Sequence, residues 1–415
     1  MKVLWVSSRI FDEVDEKQSG VWQKALAENL VGQEDLILGN ISYQDGINEA
    51  TYSVYKNIHQ WGIPGKGKVN NGMPPDKVCR WFSEVVNNFN PDIVHVWGSE
   101  NPFKLLPFKY NIAGIKVLAM QGVLSSIGNT LFMGLSLKDA FSTIGLREIL
   151  TKSSLWSIRR SFCNESEVEK KIIKSAEYII TQSDWTESQI KIINAKVPCY
   201  RTTRTLREPF LDCKKWSSIE HNKNIVYTAS WGYSLKGLHV LIKAMAIVKR
   251  DFPDVELRIA GTIGRRDILG DGYLRFILKK IKDLGLEKNI VWLGGISAED
   301  IVKNLQEASV FAHASFVESY SVAVAEAMSV GTPSVVTFAG AIPEMADNNI
   351  EALFFTIGDY KRCAHLIVKL LSDKVLSKEI SNNALKRSRE RNIDNDAVSN
   401  QMNIYRKILN MSVRG

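Results

Sequence analysis

The chain has 415 residues, enough for two domains that each bury their own core. Apolar residues make up 45% and charged residues 24%, a globular composition that excludes intrinsic disorder. The net charge of +8 admits an anionic membrane face or nucleic acid as partner, but no basic stripe with interleaved aromatics is present, which excludes nucleic acid.

The opening, MKVLWVSSRI, carries an apolar run only from Val3 to Val6. That is too short for a signal-peptide core and reads as a buried first strand. No window approaches the roughly 18 apolar residues of a membrane span. Cys79, Cys163, Cys199, Cys213 and Cys363 are odd in number and lack C-x-x-C spacing. A cytoplasmic chain with reduced thiols is therefore expected, without a disulfide framework or a zinc site.

Short apolar runs alternate with segments of helical period along the whole chain. Strands are predicted at Val3–Val6, Asp35–Leu38, Ile93–Val96, Val117–Met120 and Tyr178–Thr181. The second half predicts Ile225–Thr228, Val255–Ala260, Ile290–Leu293, Val310–Ala312 and Ser334–Thr337. Between them lie amphipathic helices, such as the one carrying Leu238, Leu241, Ile242, Met245 and Val248. This is an α/β chain with parallel sheets covered on both faces. The alternation lapses from Pro198 to Lys223, which reads as a linker. The expected fold class is two doubly wound, Rossmann-like domains facing across a cleft. Residues 1–205 and 206–395 would form the domains, and 396–415 a final helix packing back on the first. Each sheet would bind a ligand at the carboxyl ends of its strands.

From Leu146 to Phe162 the chain mixes Leu150, Leu155, Trp156, Ile158 and Phe162 with Lys152, Arg159 and Arg160. Two readings stand: an amphipathic helix packed on the N-terminal domain, or one lying against anionic lipid head groups.

The segment His313–Asn348 carries the densest chemistry. Glu318 and Glu326 are separated by seven residues, and a helix is predicted from Val322 to about Val330, stopped by Gly331 and Pro333. Ser319 and Ser321 are suitable N-caps. Amides of Ser321, Val322 and Ala323 at the helix start would attract an anion such as a diphosphate. Glu326, flanked by Ala325 and Ala327, is suited to taking both hydroxyls of a ribose. Upstream, Lys236 follows a strand and a glycine-bearing turn, placed to neutralise charge on a leaving phosphate.

The stretch ESYSVAVAEAMSVGTPSVVTFAGAIPE, with its E-x7-E spacing, A-x-x-x-G-T-P turn and G-x-I-P-E loop, resembles the donor-site signature of retaining GT-B glycosyltransferases of family 4. The resemblance spans the chain, sharply in the C-terminal half and loosely before it. It implies transfer from a nucleoside-diphosphate sugar, UDP- before GDP-, to a glycan or polyprenyl-lipid-linked acceptor with retention of configuration. Glu318 would lie against the donor sugar, Lys236 and the amides at Ser321 and Val322 would hold the diphosphate, and Glu326 the ribose. Gly20 and Ser230 occupy the family's phosphate-side turns, and Ile296 would offer its backbone to the base. The family's arginine before the lysine is replaced by Ser230-Trp231-Gly232, with Arg265 or Arg266 as substitutes. Its donor-side histidine is replaced by Gln121, which hydrogen-bonds but cannot exchange protons.

On the acceptor side Gln121 and Glu100 are candidates, followed by Arg207 and Glu208, while His95 reads as a packed strand residue. Neither metal nor other cofactor is required, and Asp394-Asn395-Asp396 reads as helix capping. Peripheral contact with an anionic membrane at the inner cell face fits the basic charge. The competing readings are a nucleotide-sugar epimerase or hydrolase on the same scaffold and a non-catalytic sugar-nucleotide-binding subunit. No G-x-G-x-x-G follows the first strand, which disfavours a dehydrogenase.

Overall fold

A computed structural model describes residues 1–12, 21–65, 73–100, 102–110, 112–202, 204, 206–217, 224–229, 234–261, 271–393 and 397–412. The chain divides into two compact units. The first holds Met1–Ser125, Cys163–Thr205 and Asn395–Gly415, and the second Ser126–Phe162 and Leu206–Asp394.

The described residues of the first unit form an eight-stranded sheet. Its strands are β1 (Lys2–Ser7), β2 (Ile37–Gln44), β3 (Thr51–Tyr55), β4 (Ile58–Pro64), β5 (Ile93–Trp97), β6 (Ile115–Ala119), β7 (Tyr178–Thr181) and β8 (Cys199–Arg201). The order is β3-β4-β2-β1-β5-β6-β7-β8, and every pairing is parallel except β3 with β4. The sequence did not announce the β3–β4 hairpin. Its turn is Lys56-Asn57, both at positive φ (44° and 65°), where the usual signal would be Asn-Gly. The solvent-facing β3 also lacks the apolar run that marks the buried strands.

The helix Ala397–Ser412 belongs to this unit, and its Tyr405 hydroxyl accepts from Trp5 Nε1 at 2.9 Å. The same hydroxyl meets His95 Nδ1 at 2.5 Å, while the His95 ring stacks on Trp97 at 4.2 Å. Burial alone pulls His95 down to about 3, so it is a neutral packing residue.

The second unit has six strands among its described residues: β9 (Ile225–Thr228), β10 (Glu256–Ala260), β11 (Ile290–Gly294), β12 (Val310–His313), β13 (Ser334–Thr337) and β14 (Leu353–Phe355). Their order, β11-β10-β9-β12-β13-β14, is parallel throughout. This is the doubly wound arrangement, with the chain reversing direction across the sheet between β9 and β12. A ligand is expected outside the carboxyl ends of those two strands.

Three expectations are corrected. The linker read from Pro198 to Lys223 is partly structured: β8 lies in it, and the short helix Glu208–Leu211 buries Phe210 in the second unit's core. The segment 126–162, expected in the N-terminal domain, clusters with the second unit. Within it the single helix read from Leu146 to Phe162 is broken: Leu146–Thr151 ends at Lys152 in a left-handed conformation (φ 54°), and a new helix runs Leu155–Ser175. Long-range polar contacts secure the segment in its unit. Ser234 Oγ donates to Leu131 O at 2.6 Å, and His239 Nε2 lies 3.0 Å from Met133 O.

All five cysteines are free thiols. Among the described residues no helix is long and apolar enough to cross a membrane.

Candidate active site

Two loops leave the carboxyl ends of β9 and β12 and carry the central residues. The first ends in a tight turn, Ser234–Lys236, followed by Gly237 at the start of the helix Leu238–Asp251. Gly237 has φ 69°, and a Cβ there would lie 1.9 Å from Ala314 O. The turn can therefore sit directly on the second loop, where Phe316 N donates to Leu235 O at 2.8 Å. Backbone contact fixes the distance from Lys236 to the residues after β12.

Lys236 Nζ donates to Glu318 Oε1 at 2.6 Å. His313 Nε2, at the end of β12, lies 3.1 Å from the same oxygen, and Ser321 Oγ lies 3.3 Å from that nitrogen. Glu318 is buried. Burial pushes its carboxyl up, but the Lys236 ammonium and His313 outweigh that and hold it well below the usual carboxylate range. Glu318 is therefore an ionised hydrogen-bond acceptor at physiological pH and cannot act as a proton donor there.

The helix Val322–Val330 has the bounds its sequence predicted. Ser321, rather than Ser319, caps it by accepting from Val324 N, and Gly331 ends it at φ 89°. Amides in the first turn of a helix have no intrahelical acceptor, so this start is suited to an anion beside the Lys236–Glu318 pair.

One turn in, Glu326 is buried and accepts from Arg207 Nη2 at 2.6 Å. Burial raises its pKa against the lowering effect of Arg207. Arg207 also lies over the Phe210 ring, 4.9 Å from its centroid. Arg207, read from the sequence as an acceptor-side candidate, lies in the second unit as the counter-ion of Glu326. Glu208 opens the short helix beside it on an exposed position. Nearby, the buried Tyr227 hydroxyl has no hydrogen-bond partner among the described residues, and its pKa is raised by burial and by the Glu326 charge.

The loop after β13 supports Glu318 from behind, with Ala341 N donating to Glu318 O at 2.8 Å. Gly340 has φ 52°, and a Cβ there would lie 2.1 Å from that oxygen. Gly340→Ala is expected to cost about 3 kcal/mol through strain and clash. A lowered melting temperature with a matching loss of turnover would be read; an unchanged melting curve would contradict the close approach.

Ile296 lies in the turn after β11, half-buried against the core, immediately before Ser297, which caps the helix Ala298–Glu307. Gly20, Ser230, Trp231, Gly232, Arg265, Arg266 and Asp394-Asn395-Asp396 lie outside the described residues. Gln121 and Glu100 lie in the first unit, after β6 and β5 respectively. Glu100 is exposed, with Oε2 3.7 Å from the Nζ of the buried Lys104. The sequence reading missed a further carboxyl there. Buried Glu169 accepts from Ser99 Oγ at 2.5 Å and Leu124 N at 3.1 Å, and burial pushes it up to about 7. His313 was also missed, although its place at a strand end five residues before Glu318 was a usable signal.

Residues 213–387 match the family described as Glycosyl transferases group 1. An uncharacterised glycosyltransferase of Methanocaldococcus jannaschii is 27% identical over 196 residues, 47% of each chain. The mannosylfructose-phosphate synthase of Agrobacterium fabrum is 29% identical over 119 residues, 29% of this chain and 26% of its own. The matched stretches thus span about half or less of these relatives' own lengths. Among solved structures, a sucrose-phosphate synthase of Thermosynechococcus elongatus aligns over 99% of both chains with a TM-score of 0.75 at 14% identity. An Anabaena protein solved with UDP and glucose aligns over 98% of this chain and 99% of its own, with a TM-score of 0.67 at 17% identity. These likenesses show the fold, which is GT-B. The signature helix and the matched segment lie together in the second unit, so it is this part of the chain that is similar to the group 1 glycosyl transferases.

Proposed function

We infer that the chain transfers a sugar from a nucleoside-diphosphate sugar to a glycan or lipid-linked acceptor, with retention of anomeric configuration. The observation that carries this reading is the row formed by Lys236, Glu318, the helix start at Ser321 and Glu326 along one face of the second unit. A cation and first-turn amides suit a diphosphate, and a buried carboxylate one turn further suits a ribose.

As the glycosidic bond breaks, negative charge collects on the leaving diphosphate. Lys236 and the helix amides stabilise that charge without a metal. Ionised Glu318 accepts hydrogen bonds from sugar hydroxyls and favours positive charge developing at the anomeric carbon. No proton-donating side chain is needed on the donor, because the leaving diphosphate takes the acceptor proton on the face it departs from, which gives retention. UDP is favoured as the nucleotide because solved neighbours were crystallised with UDP or UDP-glucose. An acceptor in surface-polysaccharide assembly, reached at the inner membrane face, is consistent with the amylovoran biosynthesis glycosyltransferase of Erwinia amylovora among the relatives.

Thermal melts with UDP-, GDP-, ADP- and TDP-sugars test the reading. A bound donor at about 100 times its Kd adds about 2.7 kcal/mol, a shift of several degrees. A UDP-sugar shift followed by product on a lipid-linked acceptor is expected. Indifference to every nucleotide sugar would refute the reading, and donor consumption without any acceptor would favour a hydrolase or epimerase.

A further inference from the structure

Between residues 137 and 160 the chain sorts its side chains by charge and direction. Both acidic residues turn inward. Asp139 lies 3.0 Å from Lys280 Nζ and 3.9 Å from Lys243 Nζ, and Glu148 takes Arg275 Nη2 at 2.5 Å and Gly272 N at 3.1 Å. The outward side holds the opposite selection. Leu137, Phe141, Leu146, Ile149 and Leu150, on the helices Leu137–Ser142 and Leu146–Thr151, are 62% to 81% exposed. Lys138, Lys152, Arg159 and Arg160 are exposed among and beside them. Single exposed apolar residues are ordinary, but five large ones on two short neighbouring helices form a surface with a purpose.

We propose that this surface docks the second unit onto an anionic phospholipid bilayer. Leucine, isoleucine and phenylalanine side chains enter the interface while the four cations meet lipid phosphates. Charge selects the occupant. A second copy placed on this face by two-fold symmetry would set cations against cations, and a protein interface core is depleted of charge. Anionic head groups complement a surface whose own acids are already paired inside.

The segment that carries the surface also touches the donor site, through the Ser234–Leu131 hydrogen bond in the Lys236 turn. Docking would therefore hold the donor site beside the membrane, where a lipid-linked acceptor is found. That consequence rests on the transferase reading; the docking itself does not.

The test is sedimentation of the full chain with vesicles of phosphatidylcholine, with and without phosphatidylglycerol. Binding is expected only with the anionic lipid and should weaken steeply with salt. Arg159→Ser with Arg160→Ser should weaken it about thirtyfold, at roughly fivefold per cation near the surface. Leu146→Ser with Leu150→Ser should weaken it on the order of tenfold or more. Because all four side chains are exposed or at the surface, melting temperatures should stay at the wild-type value, and either pair suffices if the other misfolds. Wild-type indifference to anionic vesicles would overturn the proposal, as would undiminished binding by both double variants. So would light scattering that shows a dimer abolished by the leucine pair in a chain without vesicle affinity. UDP binding by calorimetry on the same samples separates the two ideas: nucleotide binding without vesicle binding sinks docking alone, and the reverse sinks the transferase reading alone.

Discussion

Replacing Lys236 by alanine should lower the turnover number by about 10² to 10³, the usual consequence of removing one stabilising group from a charge that develops in the transition state. Donor affinity should fall much less, because the helix amides and Glu326 remain. Steady-state rates with the donor found by the nucleotide-sugar panel, set beside calorimetric affinity, read that split. A loss of affinity with turnover unchanged would place Lys236 in ground-state binding instead.

The same variant has a stability consequence with a defined sign. In the wild type Glu318 is held well below the usual carboxylate range, against its burial, by Lys236 and His313. A carboxyl with a depressed folded-state pKa contributes stability that is present above its unfolded value, about 4.3, and is lost as pH falls toward the folded value. Without Lys236, His313 is left among the described residues to oppose the burial penalty. Removing one partner of a fully buried pair costs about 3–5 kcal/mol. The Lys236 side chain is 37% exposed, so about 2 kcal/mol is the better expectation at neutral pH. Denaturant midpoints should show this gap at pH 7 and a smaller one at pH 4 and below. A gap that widens in acid would contradict the assignment of the low pKa to this pair.

Glu326→Ala should weaken nucleotide binding by about thirty- to one-hundredfold, or about 2–3 kcal/mol, from loss of hydrogen bonds between ribose hydroxyls and a charged acceptor. Turnover at saturating donor should change little. Calorimetry with UDP reads the affinity, and an unchanged value would withdraw the ribose role even if the enzyme class stands. Arg207 gives this prediction a companion. Glu326 is already raised by burial, with Arg207 opposing that shift. Arg207→Ala should raise it further, so that nucleotide affinity in this variant falls as pH drops and the carboxyl takes a proton. The wild type should hold its affinity to lower pH.

Much of the candidate site was legible because it is built locally. The helix Val322–Val330 is set by Ser321 before it, Gly331 after it and Ala-rich helix formers between, all readable in order. The seven-residue gap between Glu318 and Glu326 then places one carboxylate before the helix start and the other on its second turn. Parallel strands such as Tyr178–Thr181, Ile225–Thr228 and Ser334–Thr337 were equally plain, since burial on both faces demands continuous apolar runs. Those local rules determined the fold class and the order of the candidate-site residues along the chain.

Tertiary structure alone decided the partners. Arg207 stands 119 residues from Glu326, in a stretch that looked like linker, and no periodicity links them. Lys236 reaches Glu318 across 82 residues only because Gly237 lets one backbone loop press on another. The segment 126–162 was expected in the N-terminal domain, with Leu146–Phe162 as an amphipathic helix packed there or lying on lipid. Its contacts to Lys243, Lys280, Arg275 and Ser234 assign it to the second unit, pairing Asp139 and Glu148 inward while Leu137, Leu146 and Leu150 face water beside Lys138, Lys152, Arg159 and Arg160. The reason is the same in each case. Periodicity and capping are properties of neighbours along the chain, whereas ion pairing and exposure depend on which distant element arrives, and packing of the whole unit settles that.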